Sequence, residues 1–297
     1  MVKLKNPEPH PTIVRRYNVF NCYRSINKLL EISAKECGYI NLEITPSPLL
    51  SPDHIDIITI AFNNTFVIKH QIKKVKKNIL DKNYTHIIID NSSDLSQRVE
   101  IKNICIEEQV AYLSLPAIRK SSAFLGSDSH AIALNWVYYN LIKKRKPCYF
   151  GFLDHDLYPL KSVSIQDKIQ DQPFYGRKDI RDNCWYLWPG FAFFRLSSLD
   201  CVDVNFFPTK AGNVYLDTGG ALWHTYYKNL NVSDYLFAER NRVYLNQIGY
   251  DFPDTVEFID NLWFHSENAS MWRSASDYRS AINDILDNEK IITSVSL

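Results

Sequence analysis

Cys148-Tyr-Phe-Gly-Phe-Leu-Asp-His-Asp-Leu-Tyr-Pro159 is the stretch whose reading decides the fold. An apolar, aromatic run ends in two carboxylates, Asp154 and Asp156, one residue apart. Apolar runs of this length bounded by turn residues read as buried strands. In extended chain the side-chain period is two, so Asp154 and Asp156 are expected to point the same way. Two carboxylates aimed together repel unless a positive charge lies between them, and a hard divalent cation that also binds phosphate suits the place. The alternative is a pair of solvated turn residues after a strand. Open α/β sheets bind ligands beyond the carboxyl ends of their strands, which favours the cation.

Upstream, Ile55-Asp-Ile-Ile-Thr-Ile-Ala-Phe62 is another β-branched run, ending at Asn63-Asn64. A helical pattern through Val67, Ile68, Ile72, Val75 and Leu80 follows. His86-Ile-Ile-Ile-Asp90 and Val110-Ala-Tyr-Leu-Ser-Leu115 read as two more strands. Residues 127–142 read as a helix that buries Ala131, Leu134, Trp136, Val137 and Leu141. This alternation predicts an α/β fold with a mainly parallel central sheet flanked by helices and joined by right-handed crossovers. Three of the four strands end in polar groups able to touch a ligand: Asn63, Asp90, and Asp154 with Asp156. No glycine-rich phosphate loop follows any strand, and the chain holds only 9 glycines, which argues against a P-loop or a dinucleotide fingerprint.

Downstream the pattern changes. Residues 161–183 are polar and irregular and read as a mobile loop. Cys184-Trp-Tyr-Leu-Trp-Pro-Gly-Phe-Ala-Phe-Phe-Arg195 reads as an aromatic strand. Val214-Tyr-Leu-Asp-Thr-Gly-Gly220 leads to an expected helix from His224 to Lys228. Val256-Glu-Phe-Ile-Asp-Asn-Leu-Trp-Phe-His265 reads as the strand that closes the sheet, and 276–288 as a final amphipathic helix. Residues 1–50, with a helical pattern around Ser25-Ile-Asn-Lys-Leu-Leu-Glu-Ile32, are expected to form an N-terminal extension.

Composition sets outer bounds. The 297 residues are 45% hydrophobic and 13% aromatic, ample for a core and unlike a disordered chain. Net charge is +1, so no global field draws the chain to nucleic acid or anionic lipid. The basic clusters Lys73-Lys74-Val-Lys76-Lys77 and Lys143-Lys-Arg-Lys146 read as solvated faces. Six scattered cysteines without a Cys-x-x-Cys pair fit neither a zinc framework nor a disulfide scaffold. The N-terminus has no apolar core of a secretory signal and no run is long enough to span a membrane, so a cytoplasmic protein is expected.

In layout, residues 54–270 resemble the GT-A-fold glycosyltransferases, most nearly the inverting family-2 type. The resemblance implies a GT-A (Rossmann-like) domain whose 51–160 half binds a nucleotide sugar and whose 161–297 half binds the acceptor. The family's nucleoside-holding positions fall on Ala61, Asn63 and Asp90. Its Asp-x-Asp matches Asp154-His155-Asp156, implying Mn2+ or Mg2+ on the diphosphate of a UDP-, GDP- or dTDP-sugar. A glycine-containing strand with an arginine matches Pro189-Gly-Phe-Ala-Phe-Phe-Arg195. The family's acidic pair, whose second member is the base, aligns with Leu216-Asp217, so the first acid is missing. His265 occupies the place of a third metal ligand. The implied acceptor is a glycan, glycolipid or protein. Inversion or retention at the transferred sugar, or a binding protein without turnover, all remain compatible with the residues.

Each role has a plainer counterpart. Asp217 can cap the following helix, His265 can be a hydrogen-bonded core histidine, and Asp90 can close a turn with Ser92 and Ser93. Aromatic residues such as Trp185, Tyr186, Trp188, Trp223 and Trp263 belong to the core by default, although one near Pro189 can stack on a sugar face. His130 can touch phosphate or cap its helix.

Overall fold

The computed structural model describes residues 39–40, 50–115, 126–251, 253–269 and 276–288. The helical pattern expected around Ser25 lies outside them. In chain order the elements are β1 (Tyr39–Ile40), β2 (Ile55–Ala61), α1 (Thr65–Asn78), β3 (Tyr84–Asp90), α2 (Leu95–Glu107), β4 (Ala111–Ser114) and α3 (Gly126–Val137). Then come β5 (Tyr149–Asp154), β6 (Leu157–Pro159), β7 (Phe174–Arg181), β8 (Cys184–Arg195), β9 (Thr209–Ala211) and β10 (Val214–Leu216). The last are β11 (Arg240–Tyr244), β12 (Thr255–Ile259), β13 (Trp263–His265) and α4 (Ser276–Asp287).

The expected α/β architecture is present. A seven-stranded sheet has the order β1-β4-β3-β2-β5-β8-β7. Its middle strands β4, β3, β2 and β5 are mutually parallel, while β1, β8 and β7 add antiparallel edges. The middle strands read as unbroken apolar runs because both faces are covered. Ile58, Ile60, Ile87, Ile89 and Phe152 pack against α3 on one face. Ile88 and Tyr112 pack with Val67, Ile68 and Ile72 of α1 on the other. Asn64 caps α1, its Oδ1 accepting from the Val67 N–H at 3.3 Å, and Lys76 and Lys77 complement the far end of the helix dipole. The helix stops at Asn78, so Leu80 falls beyond it and is exposed.

A second sheet, β11-β12-β13-β6, is antiparallel throughout and corrects the sequence reading. The run from Val256 to His265, expected as one closing strand, is a hairpin. Asp260 and Asn261 both adopt positive φ, and the Leu262 N–H bonds to the Ile259 carbonyl at 3.0 Å. Asp and Asn tolerate that conformation, which reverses the chain in two residues as a primed turn does.

The segment 161–183 is likewise no loop: it holds a short helix, Ile165–Ile169, and strand β7. Strand β7 looks polar because two of its buried groups, Arg177 and Asp179, pair with each other at 3.0 Å. The helix expected from His224 to Lys228 is one turn, Leu222–Thr225, followed by a 3-10 turn at Tyr227–Asn229. The expected long helix over 127–142 ends as a π turn at Tyr138–Ile142 and a last turn, Lys143–Arg145. No helix among the described residues is long and apolar enough to cross a membrane.

That last turn is anchored from within the sheet. Arg145 forms a two-pronged ion pair with Asp56 of β2, at 2.9 and 3.0 Å, and Asp56 has no exposed surface. Breaking a buried pair leaves an uncompensated charge. Asp56→Ala is therefore expected to lower stability by about 3–5 kcal/mol, read as a drop in the urea midpoint at unchanged slope.

Candidate functional site

The chain leaves the large sheet at Asp154 and enters the small one at Leu157, with His155 and Asp156 forming the turn between. Asp154 thus ends a strand and Asp156 lies in the turn that follows, so the two do not share one extended strand. Gln71, fully buried on α1, holds this crossing. Its Nε2 donates to the carbonyls of Asp154 at 2.6 Å and Leu157 at 2.8 Å, and its Oε1 accepts from Thr59 Oγ1 at 2.7 Å. Asn78 adds a bond from its Nδ2 to the Pro159 carbonyl at 2.7 Å. Sequence reasoning missed both residues; the only trace was two amides on the apolar stripe of a helix.

Because β6 pairs with β13, residue Leu157 lies opposite His265. That pairing brings His265 to the turn. One ligand atom each from Asp154, Asp156 and His265 lie within 4.8 Å of one another. Asp154 is half-buried and its Oδ1 accepts from the His155 N–H at 3.0 Å. Asp156 is 2% exposed, and its Oδ2 accepts from the Ala269 N–H at 2.9 Å. His265 Nε2 lies 3.2 Å from Asp156 Oδ1, a charge contact not aligned as a hydrogen bond, so this buried oxygen lacks a hydrogen-bond donor. His265 Nδ1 meets Glu257 Oε2 at 2.9 Å.

Burial opposes charge on all these groups, and mutual attraction overrides it. Burial pulls the His265 imidazolium down, but Asp156 and Glu257 outweigh it and raise its pKa to about 10. Burial would raise the Asp156 carboxyl, yet His265 holds it well below the usual range. Glu257 is held low in the same way, by His265 and Arg177 against its own burial.

The remaining predicted residues are spread around this centre. Asn63, at positive φ, ties two loops together: its N–H donates to Ser92 Oγ at 2.8 Å, and its Oδ1 accepts from the Ser93 and Asp94 N–H groups, each at 2.9 Å. The Ala61 carbonyl accepts from the Asn91 N–H at 2.9 Å. Asp90 has no exposed surface; Oδ1 accepts from the Ser92 N–H and Oδ2 from Tyr112 OH, each at 2.9 Å. These bonds are those of the turn-closing alternative, and burial raises the Asp90 pKa.

Asp217 is exposed, with Oδ1 accepting from the Thr218 N–H at 2.7 Å. Its turn is seated on β8 and α3. The Asp217 N–H donates to Tyr186 OH at 3.1 Å, and Thr218 Oγ1 donates to the Ser127 carbonyl at 3.3 Å. Gly219 has φ +90, and a Cβ there would press on the Pro189 ring and the Leu187 carbonyl, so the close approach needs glycine. Pro189 neighbours Trp188, whose ring packs 5.0 Å from His265. His130 is half-buried in the first turns of α3. Burial lowers its pKa against the pull of Asp154, Asp217 and Asp156.

Neither a protein-family profile nor a curated protein matches the sequence. Similar solved structures are glycosyltransferases. A mannosyltransferase from Pyrobaculum calidifontis, in complex with GDP-Man and Mn2+, shares 12% identity at TM-score 0.38, covering 62% of this chain and 56% of that one. The galactosyltransferase LgtC, in complex with donor and acceptor sugar analogs, shares 12% identity at TM-score 0.34, covering 48% of this chain and 58% of that one. TarS from S. aureus shares 14% identity at TM-score 0.35, covering 52% of this chain and 30% of that one. The chain thus matches less than two thirds of the length of each.

The charge lattice around His265 dictates a pH response. A histidine whose folded pKa is raised from 6.5 to about 10 adds stability that is complete below the unfolded value and lost as pH rises through the folded one. In chelator, the melting temperature is expected to fall between about pH 6.5 and pH 10. His265→Gln is expected to flatten that decline in a thermal-unfolding series.

Proposed function

We propose that this chain is a metal-dependent glycosyltransferase that moves a sugar from a nucleotide-diphosphate sugar to an acceptor hydroxyl with inversion. The observation that carries the reading is the convergence of Asp154, Asp156 and His265 from two sheets, beyond the carboxyl ends of the parallel strands. The donor set suits a divalent cation. Two carboxylate oxygens and an imidazole nitrogen stand within 4.8 Å, and one buried oxygen, Asp156 Oδ1, has no hydrogen-bond donor. Carboxylates favour Mg2+ or Mn2+, and binding displaces the proton of His265. A bound cation supplies neutralisation of the charge that builds on the departing diphosphate.

The chain's own groups do the rest. The nucleoside lies over the ends of β2 and β3, whose floor is set by Ala61, Asn63 and Asp90. His130, kept neutral by burial, is available to hydrogen-bond the donor. Asp217 takes the proton of the acceptor hydroxyl as its oxygen bonds to the sugar's anomeric carbon and the diphosphate leaves with the electrons of the broken bond. It is suited to this because it is exposed, and its Oδ2 makes no hydrogen bond among the described residues. The acceptor is a glycan, glycolipid or protein, and the setting is the cytoplasm.

A thermal-shift screen of UDP-, GDP- and dTDP-sugars with Mn2+ or Mg2+ tests the donor site. One donor with metal is expected to raise the melting temperature, by the equivalent of about 2.7 kcal/mol at a hundred times its Kd. Asp154→Asn is expected to abolish that shift. Asp217→Asn is expected to bind the same donor normally and lose transfer by about 10²–10⁴-fold. No shift with any donor and metal would count against the reading. A product with retained anomeric configuration would remove the base role from Asp217.

A further inference from the structure

His265 reaches Asp156 through strand pairing, but its ring is oriented from the other side. Across the second sheet Arg242 opposes Glu257, Glu257 opposes His265, and His265 opposes Leu157. Directly opposed residues of antiparallel strands stand on one face. Arg242, Glu257 and His265 therefore form a cross-strand row of alternating charge that runs from the sheet edge to the turn holding Asp156.

Glu257, midway along the row, has no exposed surface. Its Oε2 meets His265 Nδ1 at 2.9 Å and Arg177 Nη1 at 2.8 Å. Its Oε1 meets Arg240, and Arg242 at 3.3 Å. Arg177 is itself immobilised. Its Nη2 lies 3.0 Å from Asp179, and its guanidinium stacks 3.8 Å over the Trp188 ring, the ring that also packs on His265. A carboxylate held by three arginines cannot swing aside to release the imidazole. An acceptor fixed at Nδ1 dictates which ring nitrogen carries the hydrogen bond and which faces the aspartates.

We propose that Glu257 is the positioning residue of the candidate metal centre: by accepting the Nδ1–H of His265 it turns Nε2 toward Asp154 and Asp156 as a metal ligand. This rests on the reading of Asp154, Asp156 and His265 as that centre. The rival role is a plain arginine hub in which the contact with His265 is incidental. Arg240 separates the two, because it meets Glu257 at Oε1, whereas His265 meets Oε2.

Mn2+ binding to the full chain, followed by the electron paramagnetic resonance of free and bound ion, provides the test. Glu257→Gln is expected to weaken Mn2+ about 10–100-fold, while Arg240→Gln leaves the affinity unchanged. Equal affinity of Glu257→Gln and wild type overturns the proposal, as does equal weakening by both variants. Should Glu257→Gln fail to fold, nitrogen-15 NMR of the wild-type chain loaded with Mg2+ decides. A proton on Nδ1 of His265 with a bare Nε2 supports the assignment, and a proton on Nε2 overturns it. Failure of the wild type to bind either ion overturns the metal-centre reading first, and this inference with it.

Discussion

A two-residue crossing between sheets governs the candidate site. The chain ends a parallel strand at Asp154 and begins an antiparallel one at Leu157. The turn between them would leave unpaired carbonyls inside the protein, and Gln71 satisfies them from α1. A buried amide with two strong carbonyl bonds is costly to disturb, since each unsatisfied group carries about 1–3 kcal/mol. From that anchored turn the rest follows. Strand β6 sets the register of β13, β13 delivers His265, and the row Arg242, Glu257, His265 assembles behind it.

The site has two sides of different character. Around Asp156, charges are buried and paired: its carbonyl accepts from the Ser266 N–H and its Oδ2 from the Ala269 N–H. Around Asp217 the chain is exposed, and its geometry depends on a glycine at positive φ seated against Pro189. The turn carrying Asp217 and the start of α3 are joined by the bond from Thr218 to Ser127.

Much of this was legible in one dimension. The parallel strands announced themselves as apolar runs because burial on both faces removes any polar alternation. Asp154, Asp156 and His265 are legible as a set, but the aspartates converge at a turn and not along one extended strand. Strand β7 was invisible because Arg177 and Asp179 neutralise each other inside the fold, and a buried ion pair has the same letters as a solvated surface. The hairpin at Asp260-Asn261 carried a readable turn signal that the apolar flanks obscured. Asp90 could be read two ways, and burial with both oxygens engaged points to its turn.

What the sequence determined by itself was the run of parallel strands β2 to β5, and the pair of acids at the end of a buried run. Those follow from local periodicity and from where apolar stretches stop. Only the tertiary structure decided that Val256 to His265 folds into a second sheet, that Gln71 and Glu257 are interior polar anchors, and that His265 meets Asp156. Each of those depends on pairing between residues 80 or more positions apart or on the register of facing strands. Such pairing leaves no period in the sequence, because a hydrogen-bond partner is chosen by position in space and not by spacing along the chain.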